Sequence, residues 1–451
     1  AKQPINKPPR RWVSRLAGLG PGITWMAAGA GGAGELLLPP RIGSLYGYTF
    51  LWAVVLAVLL KWFMTREVGR YATCTGTSLM KGFRDLSGPS NWAVWVIIIP
   101  QVVVAISSVA GLASSAATAV ILFLPGSVEL WTAVIVILTA AFLLIGAYAT
   151  LEKVATILAI VLAVAAIVSA STVLPGGAEM MAGLVPQLPP ETDFQEVLPW
   201  LSFMLAGAAG MVWYSYWLTA GEFGLNLEVN DANTLPDPER WSDAQIDKLR
   251  SWLKEMNLDL GLGVLGGFLI VLAFLILGAE LLRPAGIVPE RDEVASTLGW
   301  LLGDVWGQAG YWIMIVGVLV GFTATVLTNQ DGWGRLLADG TVIVGKPLGL
   351  KGQLADRNFL RKLFLGILLT LGPIGVFLWL GEPVLLVQIA GIVEAVHIPF
   401  IIALTLYLNR TRLPKPLQPN AVSVAGSALA GLFFVGFAAL FILQKVGWVT
   451  L

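Results

Sequence analysis

Apolar stretches of about 20 residues or more, the length that carries a helix across a bilayer, recur from one end of this chain to the other, separated by short charged or proline-bearing loops. A chain built this way is expected to be an all-α polytopic membrane protein. Its composition agrees: 57% of the 451 residues are hydrophobic and 12% charged, where soluble globular domains carry about 25% charged residues. Lysines and arginines balance aspartates and glutamates, so net charge points to no partner. The single cysteine, Cys74, excludes an internal disulfide and any multi-thiolate metal centre, and the single histidine, His397, excludes a multi-histidine site. The N-terminal stretch AKQPINKPPRR is basic and proline-rich and leads straight into a long span, so no removable signal peptide is expected.

About eleven spans are predicted, with boundaries good to a few residues: 17–46, 48–72, 91–124, 130–148, 152–174, 194–222, 258–283, 297–328, 360–381, 383–408 and 421–446. Of the 28 lysines and arginines, 23 fall on the side that holds the N-terminus and four on the other, with Lys61 inside span two. Positively charged loops stay in the cytoplasm, so the N-terminus is expected inside and the C-terminus outside, in the plasma (inner) membrane. The loop at Pro175–Pro199 carries Glu179, Glu191, Asp193 and Glu196 with no basic residue; it either concentrates cations outside or is simply solvated. Two longer segments, Phe223–Asn257 and Asn329–Phe359, lie on the cytoplasmic side. In the first, SDAQIDKLRSWLKEM from Ser242 reads as a capped helix, either lying on the bilayer boundary or extending span seven into water.

Two apolar stretches contain glycine-rich interruptions, AAGAGGAGE at Ala27–Glu35 in span one and AGAAGM at Ala206–Met211 in span six. Discontinuous helices at corresponding positions of two halves point to a transporter site. Breaking a helix frees amides and carbonyls that cost several kcal/mol each in lipid unless protein, water or a ligand satisfies them; close helix packing on small residues is the plainer alternative. Five spans separate the breaks, so the halves are inverted. The expected organisation is a basic tail at 1–16, a first repeat at 17–174, a second at 194–408 and a peripheral span at 421–446.

Charges inside a membrane are functional candidates by default. Glu35 closes the first break and could ligate a cation, carry a proton or pair with a buried lysine. Lys61, about thirteen residues or 20 Å into span two, either pairs with Glu35 or snorkels to the cytoplasmic headgroups. Span ten brings in Gln388, Glu394 and His397; the last two are three apart on one helix face and either relay protons or hold the span in place. MVWYSYW at Met211–Trp217 either walls a cavity with Trp213 and Tyr214 or is aromatic packing. No GxxxxGK[ST] loop, His/Cys cluster or nucleophile motif is present, so an enzyme or primary pump is not expected, nor is a cofactor, a nucleic acid or a protein partner.

GPGITWMAAGAGGAGELLLPPRIGSLYGYTFLW at Gly20–Trp52 resembles the first helix and following turn of the Nramp (natural resistance-associated macrophage protein) metal-ion transporters. Arg70 with Thr75-Gly76, TLEKVATILA from Thr150, TAT from Thr323 and HIPF from His397 come in the family's order, covering spans one to ten. The resemblance implies a five-plus-five inverted repeat of the amino acid–polyamine–organocation type, broken in helices one and six, and proton-coupled uptake of manganese and similar divalent ions. The family's DPGN becomes Gly32-Ala33-Gly34-Glu35, with glutamate at the asparagine position and the aspartate lost. Its A-x-x-M-P-H becomes Ala208-Ala209-Gly210-Met211-Val212-Trp213, keeping the thioether that favours softer metals and losing the histidine. The helix-three acidic pair falls on Ser108 and Gly111, and the helix-ten glutamine nearest Gly391.

The leading expectation is therefore a divergent Nramp-like secondary transporter of a divalent cation. Glu35 and Met211 are its metal ligands, Gly32, Gly34, Ala208, Trp213, Tyr214 and Gln388 contribute to the substrate site, and Lys61, Glu394 or His397 serves an altered coupling route. An organic cation held between Trp213 and Tyr214 with Glu35 as counter-ion is the second reading. A non-transporting sensor or scaffold on the same frame is the third.

Overall fold

The computed structural model describes Ile5, Gly20 and residues 32–146, 148–225 and 241–448. The inner half of span one, with the break residues 27–31, lies outside the described residues. From Ala33 the chain is helical: a π-helical turn Ala33–Leu37 leads into α1 (Leu38–Tyr46), then α2 (Leu51–Thr75), α3 (Trp92–Val120), α4 (Val128–Ile145) and α5 (Tyr148–Thr172). Span six is two helices, α6 (Phe194–Phe203) and α7 (Ala208–Ala220), and α8 (Asp243–Leu277), α9 (Val294–Gly345), α10 (Leu369–Leu380), α11 (Pro383–Arg412) and α12 (Ala421–Lys445) complete the chain.

Among the described residues eight helices are long and apolar enough to cross a bilayer, or nine when Ile157–Thr172 is joined to Gly177–Gly183 across a 116° bend. Of the other expected spans, the first is described only in its outer half. The second, α2, has the length but carries Lys61, Arg66, Glu67 and Arg70, which is tolerable only where those groups face protein. Three of them do: Lys61, Glu67 and Arg70 are buried, Arg70 Nε donating to Glu67 Oε2 at 2.9 Å and Asn409 Nδ2 to the same oxygen at 3.0 Å.

The frame is α3 packed along α9 and α11. Span eight runs on to Gly345, past the expected end near residue 328, because its last turns are held by charge: Asp331 accepts from Arg335 Nε at 2.8 Å and pairs with Arg361. At its outer end α9 turns sharply at Gly307, whose φ of 66° is a conformation glycine adopts without steric cost. The segment from Ser242 is continuous with span seven. Ser242 and Gln245 form a reciprocal capping box at the start of the 35-residue α8, so the segment extends span seven and is not a separate helix.

At the end of the molecule opposite the Asp331 cluster α1 and α6 are locked together. Arg41 donates from Nε and Nη2 to the two oxygens of Glu196, both at 2.7 Å, and from Nη1 to the Pro289 carbonyl at 2.6 Å. Glu196, read from sequence as part of an acidic mouth or a solvated loop, is thus half of a largely buried ion pair. Tyr48 adds a bond to Glu280 at 2.9 Å.

Candidate functional site

The unwound stretch between α6 and α7, Met204–Gly207, is where the intramembrane charges meet. α6 ends where Met204 turns to an extended ψ of 125°, and Leu205 follows with a φ of 67°, a left-handed conformation that costs a non-glycine residue about 1–2 kcal/mol. The amides and carbonyls released there are taken up by side chains from three other spans. Glu35 Oε1 accepts from the Leu205 amide at 2.7 Å. Glu394 accepts from the Ala208 amide at 2.5 Å and, through its other oxygen, from Ala209 at 3.3 Å. An anion is thereby set at the positive end of α7. Lys61 Nζ donates to the carbonyls of Ser202, Met204 and Ala206.

Close backbone approach makes this possible. A Cβ on Gly34 would sit 2.6 Å from the Phe203 carbonyl oxygen, and one on Gly207 2.8 Å from the Glu394 carboxyl carbon. The first glycine-rich stretch therefore brings its backbone against the end of α6, and the second against a carboxylate, which is more than helix packing on small residues would require.

Beside the unwound stretch lies a cavity of about 100 Å³, lined among others by Gly32, Gly34, Glu35, Trp213, Asn329 and Glu394. Since about 10–15 Å³ by this measure holds one water, it has room for a hydrated ion or a small organic cation. Trp213 stands edge-on to Trp333 with ring centroids 5.0 Å apart, and Trp217 also faces the space. Ser108, at the position of the family's helix-three acid, lines the cavity too, its hydroxyl accepting from Asn329 Nδ2 at 3.2 Å.

Other expected site residues lie elsewhere. Met211 is buried but does not line the cavity. Two residues from Trp213 on a helix, it points to nearly the opposite face. Ala208 contributes its amide and not its side chain, and Tyr214 is buried outside the lining. Gln388 belongs to an outer network in which it accepts from Gln195 Nε2 at 3.2 Å, while Gln195 Oε1 accepts from Lys445 at 2.6 Å. Gly391 is a contact point: its carbonyl accepts from Ser202 Oγ at 2.6 Å, and a Cβ there would meet Pro199 at 2.5 Å.

Two pairings read from sequence take a different form. Lys61 and Glu35 make no direct salt bridge, nor does Lys61 snorkel: at 1% exposure it is turned into the carbonyls of span six, with the Phe434 ring 5.7 Å away. Glu394 and His397 share a face of α11 and make no direct bond, but Gln101 of α3 hydrogen-bonds to both. His397 Nδ1 accepts from Gln101 Nε2 at 3.0 Å, and Gln101 Oε1 accepts from Trp333 Nε1 at 2.8 Å. Sequence reasoning missed Gln101, although an amide in the middle of the apolar α3 is a signal for such a link; it missed Asn329 and Trp333 as well.

An all-helical membrane protein whose sixth span unwinds at a charged, buried cavity belongs to the class of broken-helix transporters. The model of the family described as "Natural resistance-associated macrophage protein-like" (Nramp) matches residues 24–444, and the chain belongs to the Nramp family. It is a membrane transporter and not an enzyme. An uncharacterized protein of Pasteurella multocida is 22% identical over 97% of this chain and 95% of its own length. Among solved structures, a mutant manganese transporter of Eremococcus coleocola superposes with a TM-score of 0.69 at 16% identity, covering 98% of this chain and 89% of that one. A nucleobase-cation-symport-1 family transporter, Mhp1, in a closed conformation superposes with a TM-score of 0.55 at 13% identity, covering 96% and 92%. At these identities the likeness speaks for the fold.

Proposed function

We propose that this chain is a secondary transporter that moves a divalent metal cation by alternating access, holding the ion between Glu35 and Glu394 with part of its water retained. The observation that carries the reading is that two buried carboxylates from different spans open onto one cavity at the helix-six break. Carboxylate, hydroxyl and amide oxygens are hard donors that suit ions such as manganese or magnesium, which keep several waters. Family membership and the manganese transporters of the same fold support a metal ion as cargo. With Ser108 and Gly111 at the acidic-pair positions and no direct Glu394–His397 bond, proton coupling by the family's usual route is not expected. The paired breaks support the division into repeats at 17–174 and 194–408, with span 421–446 peripheral. The basic-residue bias supports a cytoplasmic N-terminus, an outer C-terminus and an inner-membrane location.

The test is manganese uptake into proteoliposomes holding the full chain, with and without an inward proton gradient, beside Glu35→Gln. Saturable uptake that the variant lowers about tenfold or more, the effect of losing roughly 1.4 kcal/mol of binding, is expected. A folded protein that takes up no manganese under either condition would end this reading and leave the sensor or scaffold role. Since Met211 faces away from the cavity, Met211→Ala should leave the ratio of cadmium to calcium competition within about twofold; a selective loss of cadmium would return the soft thioether to the site.

A second reading rests on Trp213, Trp217 and Trp333 lining the same cavity. Aromatic faces attract organic cations by about 0.5–2 kcal/mol, and inhibition of manganese uptake by small alkylammonium or guanidinium compounds at lower concentration than magnesium would favour it.

A further inference from the structure

The transported ion does not account for Lys61. Its ammonium is buried in mid-membrane, yet it reaches neither a headgroup nor a carboxylate. Its acceptors are three backbone carbonyls of one short stretch, Ser202 at 2.5 Å, Met204 at 2.5 Å and Ala206 at 2.8 Å. An ammonium has three N–H groups, and here each has an oxygen. The Phe434 ring from α12, 5.7 Å away, adds an aromatic face. Those carbonyls are released from helical bonding because α6 ends at Phe203 and the next helix starts only at Ala208, and of the three Met204 also accepts from the Ala206 amide at 2.9 Å. The end of a helix concentrates unpaired carbonyls and negative potential. Of the amides there, Leu205 and Ala208 are taken by Glu35 and Glu394 and Ala206 by the Met204 carbonyl, so carboxylates and an ammonium grip the same stretch from its two kinds of polar group.

Without the lysine, three converging carbonyls closed off from solvent would be a cage for a free monovalent cation. We propose that this cage is a monovalent-cation site permanently filled by a tethered cation, Lys61, so that the break in span six is held closed without a bound ion. The cage adjoins the carboxylate cavity without being part of it: Ala206 borders both, but Lys61 is not among the residues lining that space. The wild-type protein then needs no sodium, potassium or ammonium to keep span six in shape, and removing the side chain creates a dependence on such an ion.

The experiment uses the purified full chain in detergent and follows thermal unfolding of wild type, Lys61→Ala and Lys61→Met. Sodium, potassium, ammonium and ethylammonium chlorides are compared with choline chloride at constant ionic strength. Both variants should unfold at lower temperature than wild type in choline. At least one of the small cations should then raise a variant's midpoint saturably by about 3 °C, the scale expected for a chain of this length when a ligand occupies a vacated site at about 100 times its Kd, while wild type stays flat. Ethylammonium is the arm best matched to Lys61→Ala, because it restores both an ammonium and part of the missing stem. If neither variant can be purified folded in choline, both are prepared in ammonium or ethylammonium chloride, and recovery of folded protein there supports the proposal. It is overturned if the folded variants respond to no cation over choline, if wild type responds equally, or if no salt yields folded variant. Because no arm measures transport, this outcome is independent of which substrate the cavity takes.

Discussion

Glu394→Ala is expected to abolish manganese uptake and to lower the unfolding temperature of the protein. The side chain does two things at once: it supplies one of two carboxylates to the cavity and it accepts the first amides of α7, from Ala208 and Ala209. Truncation would orphan two buried N–H groups at about 1–3 kcal/mol each and remove the anion at the positive end of that helix. Glu394→Gln keeps an acceptor oxygen and loses the charge, so it should recover much of the stability and little of the uptake. The two variants thus separate holding the break from holding the ion. Folded Glu394→Ala with wild-type uptake would remove the residue from the site.

Arg41→Ala should release the outer side of the molecule. The guanidinium is bidentate to Glu196 and also bonded to the Pro289 carbonyl, so one side chain joins α1, α6 and the loop before α9. Breaking a buried pair by removing one partner costs about 3–5 kcal/mol, because the other charge is left uncompensated; here the outer helices have the alternative of parting to admit water. The chain offers a clean readout, since its one native cysteine, Cys74, is buried. With a reporter cysteine at Thr325, which lines the cavity, a membrane-impermeant thiol reagent added outside should label Arg41→Ala faster than the unmutated background. Equal labelling would mean that the ion pair does not control access.

The helical architecture was legible because bilayer length and apolarity are properties of local sequence, and the second glycine run marked the gap between α6 and α7. The first run does lie close to the break in span six, as Gly34 against Phe203 shows. The site was legible in part. Glu35 and Trp213 face the cavity, and Gly32 and Gly34 line it. Met211 failed for a reason of phase: once the Glu394 carboxylate fixes the first turn of α7, Ala209, Trp213 and Trp217 share the cavity face and residue 211 cannot. Gln388 failed for a reason of depth, since six residues of helix put it about 9 Å from Glu394, in the outer network with Gln195. The depth of Lys61 could be read from its place in span two, but its direction could not. Its partners are main-chain carbonyls, which every residue has and no motif records.

The charges gathered at the break bear on how membrane voltage acts. With Glu35, Glu394 and Lys61 counted as ionised, the empty site carries one net negative charge, and a divalent ion turns it into one net positive charge. Neither state is electrically silent. A potential of 100 mV is worth about 2.3 kcal/mol for each elementary charge that crosses the whole field. A negative interior would draw the loaded site inward and push the empty one back outward, so the potential favours both halves of an import cycle. A carrier with the same two carboxylates and no lysine would be neutral when loaded, and voltage would drive only its return.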